Sequence, residues 1–187
     1  IGVLNLGYDL MSQMEIRDIA RPFMQELADY ANASIYLGIP DGLEFVYIEA
    51  CRTQASMVIR LGVGSRIPIP TTSMGRAYLA ALPDAARNEL LLKLAEKHDT
   101  NWAEIRQKTM KAIKRAQEKS YAMTVGDWIL EANSAAAVIR RADGMPLFAV
   151  NVGGLRSIIT EERLERDLDP RILGVARQIE HSARAIL

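Results

Sequence analysis

The sequence predicts a single α+β domain built around an antiparallel β-sheet. β-Rich runs occur in pairs joined by turn residues, and segments of helical periodicity lie before, between and after these pairs. Strands that are grouped in this way, rather than alternating singly with helices, favour an antiparallel sheet. The 187 residues suffice for one hydrophobic core, and no linker rich in Pro, Gly and Ser divides them.

The first elements are a helix and a hairpin. Ser12 and Glu15 have the spacing of a capping box, and the apolar residues that follow at three- and four-residue intervals predict a helix over 15–32. Two β-rich runs, 34–39 and 43–50, flank a Pro-Asp-Gly turn and predict a hairpin. Strict alternation along the second strand places one set of side chains on one face, namely Phe45, Tyr47 and Glu49, and the other set on the opposite face, namely Val46, Ile48 and Ala50.

The central part is predicted to be mainly helical. Residues 57–61 form a third predicted strand, and 62–72 form a loop or a strand-like segment because two Gly and two Pro interrupt them. Thr72 or Ser73 caps a short helix that ends at about Leu82, before a proline. Two further helices are predicted over 84–97 and 102–119. The outer face of the second is rich in basic residues, and a solvated face is favoured there over a docking surface.

The last third combines strands and helices. Strands are predicted over 121–125, 135–142 and 147–152, and an Asp-Gly pair joins the last two as a hairpin. A short helix begins after Thr160. A long helix over 170–187 ends the chain, with a buried side formed by Ile172, Val175, Ile179, Ala183 and Ile186.

Composition excludes several functional classes. Lys and Arg total 23, as do Asp and Glu, and this balance argues against direct nucleic-acid binding, which requires clustered positive charge. The longest segment without Asp, Glu, Lys or Arg, residues 144–155, is too short to cross a bilayer. The single Cys51 excludes an intramolecular disulfide and fits a reducing cytosol. We therefore expect a cytoplasmic domain without membrane contact.

Residues for catalysis or metal binding are scarce. Cys51 is the one cysteine, and no Cys–His signature or Gly-x-Ser-x-Gly elbow accompanies it, so a small buried thiol is favoured over a nucleophile. His98 and His181 are not spaced for a metal. The sequence therefore predicts no enzyme activity, no cofactor and no metal site.

Two segments have the character of a ligand site. Residues 71–75 precede a helix, where hydroxyls and N–H groups can receive an anion, although a plain helix cap explains them too. Trp128, Ile129 and Leu130 form an apolar group in a loop, which predicts either the cover of a pocket or a plug in the core.

Together these segments resemble the effector-binding domain of IclR-type bacterial transcriptional regulators. Residues 63–80, VGSRIPIPTTSMGRAYLA, resemble the family's signature, with Arg76 in place of the common Lys. Other segments also match, and they occur in the family's order along almost the whole chain: 19–22, 41–42, 46–49, 119–122, 135–139 and 149–154.

The resemblance implies a GAF-like fold, in which helices flank a curved antiparallel sheet with an effector cavity on one side. It also implies a winged helix-turn-helix upstream that is absent from this chain, and the start at Ile1 rather than Met agrees with part of a longer protein. DNA would be bound only through that missing domain, and the protein would be a homodimer or homotetramer. The alternative is a GAF-type sensor coupled to another output, such as a signalling enzyme.

By position in the family's motifs, the resemblance assigns the effector to two groups of residues. Those near the loop–helix junction are Ile59, Ser73, Met74 and Gly75, and those from the second half are Thr124, Ala132, Ser134, Asn151 and Gly153. Trp128 of the apolar loop is added to the expected pocket because of its side chain rather than its position in a motif. The sequence departs from the family at Glu131, Ser134, Asn151 and Gly153, where Gly, Cys and two Ser are common. The character of these side chains suits an apolar, aromatic body that carries a carboxylate.

Overall fold

The computed structural model describes residues 14–53 and 61–187. Its elements, in chain order, are α1 Glu15–Ala31, β1 Ser34–Asp41, β2 Glu44–Cys51, β3 Arg66–Pro68, α2 Ser73–Ala81, α3 Asp84–His98, α4 Trp102–Lys119, β4 Ala122–Val125, β5 Ala132–Arg140, β6 Pro146–Leu155, α5 Glu161–Arg163 and α6 Asp169–Ser182. A 3₁₀ turn, Asp99–Asn101, precedes α4, and a π-helical turn, Leu164–Leu168, joins α5 to α6.

The strands form one six-stranded sheet in the order β3-β2-β1-β6-β5-β4, and every paired neighbour is antiparallel. Both predicted hairpins are present. Gly42 and Gly144 occupy their turns with φ of +62° and +85°, a region that glycine enters without steric penalty. The predicted fold class, an antiparallel α+β domain, is confirmed.

Helices cover both faces of the sheet, and each face has its own core. α1 and α6 pack on one face, which we call the closed face. Its core includes Ile35, Leu37, Ala135, Ala137, Val150 and Val152 from the strands. α2, α3 and α4 cover part of the other face, which we call the cavity face, where Tyr36, Phe45, Tyr47, Ala136 and Ala149 are buried. The two sets alternate along β1, β5 and β6, as pleating requires.

A bulge in β2 overturns the predicted position of Glu49. Tyr47 pairs with Gly38 and Glu49 with Leu37, so Ile48 is an extra residue without a partner in β1. One extra residue reverses the alternation beyond it. Glu49 therefore lies on the closed face, opposite to Phe45 and Tyr47. There its carboxylate forms ion pairs with two guanidinium groups of α1, Arg17 at 3.1 Å and Arg21 at 2.8 Å.

Two helix starts follow their local capping signals, whereas the start of α1 and the end of α6 differ from the prediction. Thr72 caps α2 by accepting a hydrogen bond from the Gly75 N–H, and Thr160 caps α5 through the Arg163 N–H. The N-cap position of α1 is Met14, without a side-chain cap, and Ser12 of the predicted capping box lies outside the described residues. α6 ends at Ser182, so the prediction that Ile186 is buried in that helix is wrong: it is 45% exposed.

The remaining differences are small. The predicted strand at 57–61 lies outside the described residues except for Leu61, and β5 begins three residues before its predicted start, at Ala132. The basic side chains of α4 are largely exposed, and two of them form ion pairs, Lys108 with Glu104 and Arg115 with Glu165. None of the described helices is long and apolar enough to cross a membrane.

Candidate functional site

The cavity face ends in a cavity where the helices no longer cover the sheet. The space between its walls is about 680 Å³, including space continuous with solvent. The central strands β1, β5 and β6 form the base, the N-cap of α2 forms one side, and the loop between β4 and β5 forms another. The described lining residues are Asn32, Ala33, Ser34, Tyr36, Tyr47, Leu61, Ile67, Thr72, Trp128, Ile129, Ala132, Asn133, Ser134, Asn151, Gly153, Gly154, Leu155 and Ile158.

Two tyrosines and an asparagine form the deep part of the wall. The rings of Tyr36 and Tyr47 stack with centroids 4.3 Å apart and planes 8° from parallel. The Asn151 side chain lies close enough to the Tyr47 hydroxyl to oppose part of the rise in the Tyr47 pKa. Burial raises the pKa of the Tyr47 phenol far above its ordinary value, so the hydroxyl is neutral at physiological pH.

Three hydroxyls form a hydrogen-bonded group beside this wall. The Ser134 Oγ lies 2.8 Å from the Ser73 Oγ and 2.8 Å from the Thr124 Oγ1. Ser134 lines the cavity, whereas Ser73 and Thr124 lie behind it and fix its position. The group thus joins the first turn of α2 to the two strands β4 and β5.

The N-terminus of α2 borders the cavity through its cap residue Thr72. Its amide groups give this end of the helix a partial positive charge. Gly75, in the first turn, packs directly against the preceding loop, and a Cβ there would lie 2.1 Å from the Ile69 carbonyl oxygen. Only glycine allows the helix to approach the loop this closely, and this contact fixes the position of the N-terminus of α2.

The loop between β4 and β5 is anchored beside the cavity. Gly126 turns the chain with φ of +66°. The carboxylate of the next residue, Asp127, forms an ion pair of 2.6 Å with the guanidinium of Arg76 in α2. The Arg76 side chain is only 3% exposed and also donates to the Pro70 carbonyl at 2.9 Å. The two following residues, Trp128 and Ile129, line the cavity, whereas Leu130, the third member of this apolar group, is 67% exposed.

The described residues offer little for covalent or metal chemistry. Cys51 is buried, and burial raises the pKa of its thiol to about 11, so it is protonated at neutral pH and a poor nucleophile. No group of three or more His, Cys, Asp or Glu within 14–53 and 61–187 is arranged to hold a metal ion. None of the described lining residues carries a charge.

A comparison with protein families identifies the domain. The family described as the bacterial transcriptional regulator IclR C-terminal domain matches residues 8–181. This chain belongs to the IclR family.

Individual relatives agree with this assignment. The Pca regulon regulatory protein of Pseudomonas putida is 29% identical over 182 residues, and the HTH-type transcriptional regulator TsaQ1/TsaQ2 of Comamonas testosteroni is 22% identical over 185. The matches cover 96% and 98% of this chain but only 62% and 66% of those proteins. An IclR family transcriptional regulator from Brucella abortus has a solved structure with a TM-score of 0.90 and 33% identity, covering 97% of this chain and 69% of that one.

The effector positions that the IclR resemblance assigned are distributed unevenly around the cavity. Four of them line it, namely Ala132, Ser134, Asn151 and Gly153, and so does Trp128, which was expected there from its side chain. Ser73 and Thr124 are one hydrogen bond behind Ser134. Met74 is fully buried in the core of the cavity face, and Gly75 packs on Ile69, so neither is among the lining residues. Ile59 lies outside the described residues.

Several lining residues escaped the sequence analysis. The segment that joins α1 to β1 and the buried tyrosines of β1 and β2 contribute Asn32, Ala33, Ser34, Tyr36 and Tyr47. The IclR motifs gave no signal for them. Their side-chain type could have indicated them. Tyr36 and Tyr47 carry hydroxyl groups on the sheet face where the other core side chains are apolar.

Proposed function

We propose that this domain senses a small organic acid for an IclR-type regulator and performs no chemistry itself. The acid would occupy the cavity at the end of the sheet, and its binding would modulate DNA binding by a winged helix-turn-helix domain upstream in the full-length protein. The observation that best supports this proposal is the cavity, in which apolar and aromatic side chains surround a few polar groups beside a helix N-terminus. Cavities of this composition are the usual sites for small organic ligands.

The composition of the wall supports an aromatic or short aliphatic acid. Trp128, Ile129 and Leu61 provide apolar surface for its body. A carboxylate would be bound by neutral donors rather than by an ion pair, with the Ser134 hydroxyl group and the N-terminus of α2 on the same side of the cavity. The dipole of the helix and aligned hydroxyls stabilise a negative charge without a cation.

The arrangement of the walls suggests how binding is transmitted. The cavity is bounded by three separate parts of the chain: β1 and β6, the cap of α2, and the loop anchored by Asp127 to Arg76. A ligand that contacts all three stabilises one relative arrangement of them and shifts the population toward it. In a homodimer or homotetramer, the same shift would reposition the attached DNA-binding domains.

A thermal-shift screen tests this proposal. The panel contains benzoates, short aliphatic acids, sugars and amines. Ligand at 100 times its Kd adds about 2.7 kcal/mol to the free energy of unfolding, and we expect one or more acids to raise Tm. A panel in which only sugars or amines bind, or in which nothing binds, contradicts the proposal.

Two variants place the binding site. Ala132→Phe introduces a ring on the strand face that carries Ser134, and we expect it to abolish the shift produced by an acid. Val125→Phe, on the exposed end of β4, is the matched control and should retain the shift. A shift that survives in Ala132→Phe would mean that the acid binds elsewhere.

A further inference from the structure

A second cavity lies between α4 and β4, which is the last strand at that edge of the sheet. The space between its walls is about 550 Å³, including space continuous with solvent. Its described lining contains four cationic residues, Arg76, Lys108, Lys111 and Arg115, and one carboxylate, Asp127. It shares no described lining residue with the uncharged cavity at the end of the sheet, so the two cavities are separate and differ in charge.

Three of these cations come from one side of α4. Lys108, Lys111 and Arg115 follow each other at intervals of three and four residues, which places their side chains on successive turns of the same helix face. Lys114, on the same helix, is exposed and is not among the residues that line the cavity. The basic residues of α4 are therefore divided, and this subset borders a concave surface instead of open solvent.

The positive charge of this face is only partly compensated. Arg115 pairs with Glu165 at 2.8 Å and Lys108 with Glu104 at 3.0 Å, and all four side chains are at least 41% exposed. Ion pairs in contact with water contribute about 0–1 kcal/mol, so an incoming anion can replace these partners. Lys111 is exposed and forms no ion pair within residues 14–53 and 61–187.

A buried guanidinium adds positive charge behind this face. Arg76 uses its Nη1 for Asp127 and its Nε for the Pro70 carbonyl, and its Nη2 has no hydrogen-bond acceptor among the described residues. Because Nη2 is covered by protein, Arg76 acts on a ligand through its charge and not through a contact. Asp127 also lies 4.0 Å from the Lys108 Nζ, so one carboxylate faces two cations and positive charge remains in excess.

We propose that the second cavity binds the phosphate group of a small molecule. A phosphate monoester carries between one and two negative charges at pH 7 and three strong acceptor oxygens, so it can contact Lys108, Lys111 and Arg115 together. A singly charged anion cannot compensate the same number of cations. The proposal goes beyond the function proposed above, since it concerns a separate cavity and a different chemical group.

The test is isothermal titration of the whole chain with inorganic phosphate, phenyl phosphate and glycerol phosphate, with nitrate as the singly charged control at the same ionic strength. We expect at least one phosphate to bind with a Kd below about 1 mM and nitrate to give no measurable binding. Tighter binding of a monoester identifies an organic phosphate as the ligand, whereas binding of inorganic phosphate with equal or higher affinity identifies the free ion. If no phosphate binds in this range, or if nitrate binds equally well, the proposal is wrong.

Two variants of α4 distinguish a site from general attraction to a basic helix. Lys111→Gln removes one charge from the cavity, and we expect it to weaken phosphate binding about 5- to 10-fold. Lys114→Gln removes the same charge outside the cavity and should change the Kd less than about 2-fold. Both lysines are exposed, so neither substitution disturbs the core. Equal weakening by the two variants would overturn the proposal.

A third variant separates the two cavities. Ala132→Phe obstructs the cavity at the end of the sheet, and phosphate binding should persist in it with an unchanged Kd. Loss of phosphate binding in a folded Ala132→Phe variant would assign the phosphate to the first cavity and contradict the proposal. Should this variant fail to fold, the comparison of Lys111→Gln with Lys114→Gln still decides the question. The outcome for organic acids at the first cavity does not affect this test.

Discussion

The two faces of the sheet are built from the same strands but are completed differently. On the closed face, α1 and α6 cover an apolar surface that includes Ile35, Leu37, Val150 and Val152, all fully buried. On the cavity face, apolar packing under α2, α3 and α4 gives way to Asn151, Ser134 and Gly153 at one end. Along β6, successive side chains lie alternately on the closed face and on the cavity face.

This difference shows how one sheet separates stability from recognition. Burial of apolar area on the closed face supplies free energy that does not depend on a ligand. Less apolar area is buried on the cavity face, because polar groups and a glycine occupy positions where a large apolar residue would fill the space. Substitutions on the two faces should therefore have different consequences, and the following predictions test this separation.

The largest effect is expected at Gly75, where the cavity face is closely packed. A Cβ at this position would lie 2.1 Å from the Ile69 carbonyl oxygen, and backbone does not move aside easily. Gly75→Ala should lower the free energy of unfolding by about 3 kcal/mol or more, measured by urea denaturation. Gly174→Ala in α6 is the control: no atom lies within 4 Å of its Cβ, and it should stabilise by about 0.5–1 kcal/mol.

Equal loss at Gly75 and Gly174 would contradict this account. It would mean that the helix end beside the cavity adjusts freely and that the first turn of α2 is not fixed by its contact with Ile69. The folded fraction of each variant, measured by circular dichroism before denaturation, separates a global failure to fold from a moderate loss of stability.

The same truncation on each face should have unequal effects. Ile172 is fully buried on the closed face, and Ile172→Ala should lower the free energy of unfolding by about 3 kcal/mol. Ile129 is half-buried in the cavity wall, and Ile129→Ala should lower it by about 1 kcal/mol or less. For an acid that binds, Ile172→Ala should leave the Kd unchanged while Ile129→Ala raises it. The opposite assignment of the two effects would refute the separation of roles.

The smallest effect concerns a carboxyl group rather than an apolar contact. Asp169, the first residue of α6, is fully buried, and neither of its oxygens has a hydrogen-bond partner. Burial raises the pKa of this carboxyl to about 7, a rise that Arg115 opposes and Glu165 reinforces. Because the folded protein then binds the proton more tightly than the unfolded chain, this group's contribution to stability decreases as pH rises from about 4 to about 7.

Asp169→Asn, which stays neutral, should remove this pH dependence. We expect the variant to gain about 2–3 kcal/mol over the unmodified protein between pH 5 and pH 8, as measured by urea denaturation at both pH values. A constant difference between the two proteins would show that Asp169 remains ionised when folded. Asp143, exposed in the second hairpin, supplies the control variant Asp143→Asn.

Much of this molecule could be predicted from its sequence because the signals are local. Caps such as Thr72 and Thr160, the turns at Gly42 and Gly144, and helical periodicity depend on neighbours within a few positions. These signals predicted the helices and hairpins, and therefore the fold class. The family was predicted from the resemblance of residues 63–80 and of other segments in the family's order.

Only the tertiary structure decided which residues meet. The bulge at Ile48 moved Glu49 to the closed face, and strand register brought Tyr36, Tyr47 and Asn151 together although they are separated by up to 115 positions along the chain. Burial of Asp169 likewise depends on packing between helices. The physical reason is that periodicity and capping act between neighbours, whereas the face, the burial and the partners of a side chain are set by pairing between distant strands, and a single unpaired residue reverses them.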